Sequence, residues 1–162
     1  MSEISIGKEF LELAIEIEKN GRFFYEVVAR LRGNKEIEDV FAKLAAREKE
    51  HENTFRDMLS RLGGYRPHQK HTGEHYQYIR NLAESSIFTG EQVQALLTRK
   101  PMTDVEALEI GIGFEKDSIL FYSEMRGMVP RQDQQIVDVI TNEEKKHLSE
   151  LTYMTHKLKG KN

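Results

Sequence analysis

Cysteine is absent from the 162 residues. That absence excludes disulfides, thiolate zinc sites, iron–sulfur clusters and cysteine nucleophiles. A basic excess is missing too: 24 Lys and Arg against 27 Asp and Glu leave a net charge of −3. Nucleic acid and anionic membranes are therefore not expected as partners. No apolar run approaches the roughly 18 residues that a membrane span needs. Met1 to Phe10 lack a basic segment followed by an apolar one, so no signal peptide is expected and the cytoplasm is the expected location. Strand signals are almost wanting. What remains, 38% hydrophobic and 31% charged residues, suits a soluble helical protein rather than a disordered chain. Residues 1–162 are expected to form a single domain with a sizeable core.

Only Pro67, Pro101 and Pro130 punctuate the chain, each near a break in helical patterning. Apolar residues recur at helical spacing from about Glu3 to Arg32, where Gly33 is the expected stop. Asn34 is the expected N-cap of a second helix that runs to about Leu62 and ends at Gly63-Gly64. Short helices are expected around Tyr76–Ser85 and Glu91–Thr98, within a connection broken by Pro67, Gly73 and Gly90. A third long helix starts at Thr103 or Asp104 and reaches about Met128. The fourth spans about Arg131 to Leu158, before a frayed basic tail. The fold class is all-α: an up-down four-helix bundle with a long crossover between its second and third long helices.

The chain repeats itself. Glu18-Lys19-Asn20-Gly21-Arg22-Phe23-Phe24-Tyr25 matches Glu115-Lys116-Asp117-Ser118-Ile119-Leu120-Phe121-Tyr122 at four of eight positions, 97 residues later. Glu48-Lys49-Glu50-His51 returns 96 residues on as Glu144-Lys145-Lys146-His147. Two matches at nearly one offset describe two helix hairpins of common design related by a pseudo-twofold axis.

Each long helix has one seam in steps of three and four. The first reads Leu11, Ala14, Glu18, Gly21, Tyr25, Val28, and the second Phe41, Leu44, Glu48, His51, Phe55, Met58, Leu62. The third reads Leu108, Gly111, Glu115, Ser118, Tyr122, Met125, and the fourth Val137, Ile140, Glu144, His147, Leu151, Met154, Leu158. Every seam is apolar at both ends and ionisable in the middle. Burying four carboxylates together costs several kcal/mol each unless they protonate or find cations. Two divalent metals balance the four charges, and two neutral imidazoles complete the donor set. Residues three apart share a helix face, so Glu48 with His51, or Glu144 with His147, can address one metal. One Glu from each of two helices plus Glu-x-x-His from each of two others is the pattern of di-iron and di-manganese carboxylate sites. Oxygen-rich ligation with one imidazole per metal favours iron or manganese over a closed structural zinc site, although zinc can occupy such sites as a substitute.

Ala14-Ile15-Glu16-Ile17-Glu18…Phe24-Tyr25, Glu48-x-x-His51, Glu115-Lys116-Asp117-Ser118…Phe121-Tyr122 and Glu143-Glu144-x-x-His147 resemble the motifs of the rubrerythrin family, and the similarity extends into Tyr76–Phe88. The resemblance implies a ferritin-like bundle that binds two iron ions per chain. By likeness to such sites, Glu18 and Glu115 would be terminal ligands, Glu48 and Glu144 bridges, and His51 and His147 one terminal nitrogen each. It also implies reduction of hydrogen peroxide or dioxygen, protection against oxidative stress, and a homodimer. Two departures stand out. Without cysteine the chain cannot hold a rubredoxin-type iron, so electrons are expected from a separate donor such as a rubredoxin. Rubrerythrin also has an additional glutamate one turn after the third-helix ligand, and Ser118 stands there here.

Other features leave two readings open. Tyr25 and Tyr122, two turns beyond Glu18 and Glu115, either hydrogen-bond ligand carboxylates across the bundle or are simply core aromatics. Gly21, Gly111 and Ser118 either admit a small oxidant or let helices approach. His68, His71 and His75 are either solvated or a surface metal site. The alternative function is ferroxidase or iron storage of the ferritin type, and a third reading is a structural bundle with a vestigial site.

Overall fold

The computed structural model describes residues 3–63, 73–85, 90–98 and 102–160. Helix α1 (Glu3–Leu31) and α2 (Lys35–Arg61) form one long antiparallel hairpin; α5 (Asp104–Met125) and α6 (Arg131–Lys159) form the other. Two short helices, α3 (Gly73–Ser85) and α4 (Gly90–Thr98), belong to the connection and lie against α5 and α1. They anchor through Ile79 and Val93, both buried. The hairpins meet where α1 faces α5 and α2 faces α6. The result is a ferritin-like helical bundle, with no strand among the described residues. No described helix is long and apolar enough to cross a membrane.

Local chemistry sets the helix ends, in places differently from the periodicity. α1 stops at Leu31, and Gly33 keeps a negative φ, so no left-handed glycine terminates it. The next helix is started instead by Asn34, whose extended backbone lets its side chain accept from the Glu36 amide. Gly63, at φ +48°, supplies the left-handed residue that ends α2. Thr103 and Glu106 form a reciprocal capping box at the start of α5. α5 ends at Met125 rather than Met128, because residues 126–128 tighten into a 3₁₀ turn before extended Val129 and Pro130. Nor is the C-terminal segment a frayed solvated tail as far as Lys159. Lys157 pairs with Glu36 on α2, and Lys159 reaches Glu109 on α5 at 2.6 Å.

The four seams point inward as a bundle requires. Every seam residue is buried except Leu158, which is half-buried. Apolar layers of Leu11, Leu44, Leu108, Met125, Val137 and Met154 lie above and below the ionisable level. At that level the helices are kept close by small residues. A Cβ built on Gly21 would lie 2.2 Å from the Phe114 ring, which is itself fully buried and packed edge-on to Tyr25.

Phe114 therefore cannot yield without disturbing the layer that carries the site. Gly21→Ala is expected to lower the unfolding free energy by ~1–3 kcal/mol, the usual cost of overpacking a rigid core. Urea denaturation read by circular dichroism checks this, and an unchanged midpoint would show that α1 and α5 can separate freely.

Candidate metal centre

The middle of the bundle gathers every ionisable seam residue. Glu18 on α1, Glu48 and His51 on α2, Glu115 on α5, and Glu144 and His147 on α6 are all buried, the four carboxylates completely. They form two overlapping sets: Glu18, Glu48, His51 and Glu144 in one, Glu48, Glu115, Glu144 and His147 in the other. Within each set one donor atom per residue lies within 4.8 Å of the others. Glu48 and Glu144 are common to both. The two imidazole rings lie nearly parallel, 5.9 Å between centroids. His51 Nδ1 faces Glu144 Oε1 at 2.8 Å and Glu18 Oε2 at 3.6 Å. His147 Nδ1 faces Glu144 Oε2 at 3.0 Å, Glu48 Oε1 at 3.5 Å and Glu115 Oε2 at 3.7 Å.

The tyrosines bond across the hairpins. Tyr25 on α1 donates to Glu115 Oε1 on α5 at 2.6 Å, and Tyr122 on α5 donates to Glu18 Oε1 on α1. Each phenol is held by rings: Tyr25 lies 5.7 Å from Phe41 and 5.8 Å from Phe114, and Tyr122 lies 5.1 Å from Phe55. Each bond occupies the outer oxygen of its carboxylate and leaves the other, Glu18 Oε2 or Glu115 Oε2, without a hydrogen bond. Both oxygens of Glu48, Glu144 Oε1 and His51 Nδ1 are likewise buried and unbonded.

Unbonded buried polar atoms are rare, and each costs about 1–3 kcal/mol. Here five carboxylate oxygens and one imidazole nitrogen lie together without a hydrogen bond, His51 Nδ1 and Glu144 Oε1 being close enough, at 2.8 Å, for an ion pair only. Such an oxygen-rich, one-imidazole-per-set donor group fits iron or manganese. It fits a pair of metals because the two sets overlap through two shared carboxylates.

Electrostatics of the metal-free protein say the same. Burial, reinforced by the charge of Glu144, raises Glu18 and pushes Glu48 and Glu115 well above the carboxylate range. Burial also works against ionised Glu144, yet contacts with His147 and His51 outweigh it and hold this carboxyl below its usual range. Burial opposes protonation of the imidazoles, but Glu144 and Glu18 push His51 up to about 12, and Glu115 and Glu144 push His147 up to about 9. Without metal, then, protons do the neutralising.

Two partners escaped the sequence reading. His51 Nε2 meets Glu143 Oε2 at 2.7 Å, so the ring is held from outside while Nδ1 faces inward. This is the carboxylate–histidine arrangement that fixes the tautomer of a metal-binding imidazole. The adjacent pair Glu143-Glu144 carried the signal, since a residue one step off a seam flanks the neighbouring helix. Glu52, next to His51, is also buried; it accepts from Arg56 Nε and Nη2 at 3.0 and 2.9 Å, with Lys49 and Arg22 on its other oxygen at 3.3 and 3.5 Å. Neither feature repeats: Arg47 in the first hairpin stands where Glu143 would be matched, and Ile119 and Leu148 in the second stand where Arg22 and Glu52 would be. Of the histidines in the connection, His68, His71 and the side chain of His75 lie outside the described residues.

Comparison with known proteins gives one family. The family model for rubrerythrin matches residues 9–155. Neither a curated protein nor a solved structure matches the chain.

The raised imidazoles fix a sign for pH dependence. Their protons stabilise the metal-free fold fully below the ordinary histidine value of 6.5, and His147 loses that contribution as the pH rises through about 9. Glu48 and Glu115, held protonated, act in the same direction. Metal needs the deprotonated groups. The melting point of metal-free protein should fall from pH 6.5 to 9, while the rise produced by saturating Mn²⁺ grows over that interval. Calorimetry with and without Mn²⁺ checks both trends; a metal-induced rise that shrinks with pH would contradict them.

Proposed function

Because the chain belongs to the rubrerythrin family, we propose that it is a di-iron peroxidase, reducing hydrogen peroxide with electrons supplied by a separate donor. The observation that carries the reading is the double set of buried donors sharing Glu48 and Glu144, with unbonded oxygens converging between four helices. In balanced form, one peroxide, two electrons and two protons give two waters. Two ferrous ions, when bound, supply those two electrons together. The 162 residues contain no cysteine for a rubredoxin-type iron, so electrons arrive from outside them.

The chain's own residues have distinct tasks in this reading. Glu18, Glu48, His51 and Glu144 would hold one metal, and Glu48, Glu115, Glu144 and His147 the other. His51 and His147 give one nitrogen apiece. Tyr25 and Tyr122 fix Glu115 and Glu18 by their outer oxygens, so those carboxylates keep one orientation while the oxidation state changes. Both phenols are held well above their ordinary range, by burial first and then by the neighbouring carboxylates, and so keep their protons. Phe41, Phe55, Phe114 and Leu151 wall the centre and exclude bulk water. Glu143, partly exposed, accepts from His51 Nε2 and preserves the tautomer that leaves Nδ1 free for metal.

Two experiments test this assignment. Anaerobic ferrous loading should give two irons per chain, followed by near-ultraviolet absorption of a diferric pair that forms faster with peroxide than with dioxygen. Faster reaction with dioxygen and uptake of many more irons would favour iron storage, whereas fewer than two irons would end the di-iron assignment. Second, Glu143→Ala should weaken metal binding roughly 10–100-fold, while Arg47→Ala, at the repeat-equivalent position, changes it less than about twofold. Competition against a chromogenic chelator measures both.

A further inference from the structure

Ser118 is the one seam residue of the metal level that nothing above employs. It lies on α5 three residues after Glu115 and four before Tyr122, on the face that presents both to the centre. It is 1% exposed, and its Oγ has no hydrogen-bond partner.

A helical serine has an easy partner in the carbonyl four residues back, and this protein uses it widely. On the same helix Ser123 donates to the Ile119 carbonyl at 2.7 Å. On α6, Thr141, Thr152 and Thr155 donate to Val137, Leu148 and Leu151 at 2.7–2.8 Å. Thr54 on α2 does the same with Glu50. Ser118 forgoes that bond while fully buried, at the level where the carboxylate oxygens are also unbonded. Its counterpart on α1 is Gly21, whose space the Phe114 ring fills. The pseudo-twofold thus matches an unpartnered hydroxyl on α5 with a glycine on α1 that the Phe114 ring of α5 covers.

We propose that the Ser118 hydroxyl is a binding group for the small oxidant, donating a hydrogen bond to an oxygen atom of the peroxide as it enters the centre. The proposal rests on the di-iron reading above. In that reading Ser118 touches substrate without holding metal, and it favours a molecule with an acceptor oxygen over an apolar gas of the same size. A buried donor kept for a ligand costs stability while the ligand is absent. Ser118 should therefore have opposite effects on the metal-free fold and on the liganded protein.

The test uses azide, a small anion with acceptor atoms at both ends, titrated spectrophotometrically into iron-loaded protein. Ser118→Ala and Ser118→Gly should each retain two irons per chain and bind azide about tenfold more weakly, the loss of one hydrogen bond to a charged ligand. Metal-free Ser118→Ala should also melt higher than the parent, because an unpartnered hydroxyl has gone. Unchanged azide affinity in both variants, or a loss in one alone, would overturn the proposal, the latter by showing that volume rather than the hydroxyl matters. A lower melting point for metal-free Ser118→Ala would likewise overturn it, by revealing a structural partner for the hydroxyl. A parent protein that takes up fewer than two irons would instead overturn the di-iron reading itself.

Discussion

Mutual repulsion among four carboxylates sealed in a low-dielectric interior is the constraint around which this bundle is arranged. Left alone, such a cluster would unfold the core or draw in water. The protein meets it with two imidazoles, two phenols and a set of retained protons, all supplied from within the same level. No hydrogen bond reaches Glu48, whose charge is removed by a retained proton instead. The apolar layers on either side supply the folding free energy that lets this level remain under-satisfied. The seams are accordingly Leu, Ile, Val, Phe and Met at their ends, with ionisable groups confined to the middle.

Most of the architecture was legible in the sequence because its signal is periodic. The steps of three and four pick out residues that are buried, although Phe10, Phe24, Ile37, Phe114 and Phe121 are buried outside the seams. The repeat at 96–97 residues pairs the hairpins. Helix ends were less legible, since they depend on single dihedral choices. α1 ends just before Gly33 and α2 just before Gly63, yet only Gly63 takes the left-handed angle. At the centre, six side chains could be named from the seams. Glu143 could not, because it lies one step off a seam and its importance arises only when α2 and α6 are docked. Which tyrosine bonds which carboxylate was equally hidden, for both hydroxyls are compatible with either helix until the crossing is fixed.

The repeat is also informative where it fails. Around His51 the protein places Glu143 and the Arg22–Glu52–Arg56 cluster, all polar and partly in contact with solvent. At the repeat-equivalent positions, Arg22 and Glu52 are replaced by the hydrophobic Ile119 and Leu148, Arg56 by Thr152, and Glu143 by Arg47 of opposite charge. Identical ligand types on the two sides are therefore embedded in unlike surroundings.

The crossed tyrosines carry a consequence for how the molecule comes together. Each hairpin contains two carboxylates and one imidazole of the centre, and each phenol belongs to the hairpin opposite the carboxylate it restrains. An isolated hairpin is thus half a binding site with its restraining hydroxyl pointed at nothing. A metal held by these residues would contact both hairpins at once, so its binding would favour the docked bundle over separated halves, and its supply would weigh on assembly as well as on occupancy.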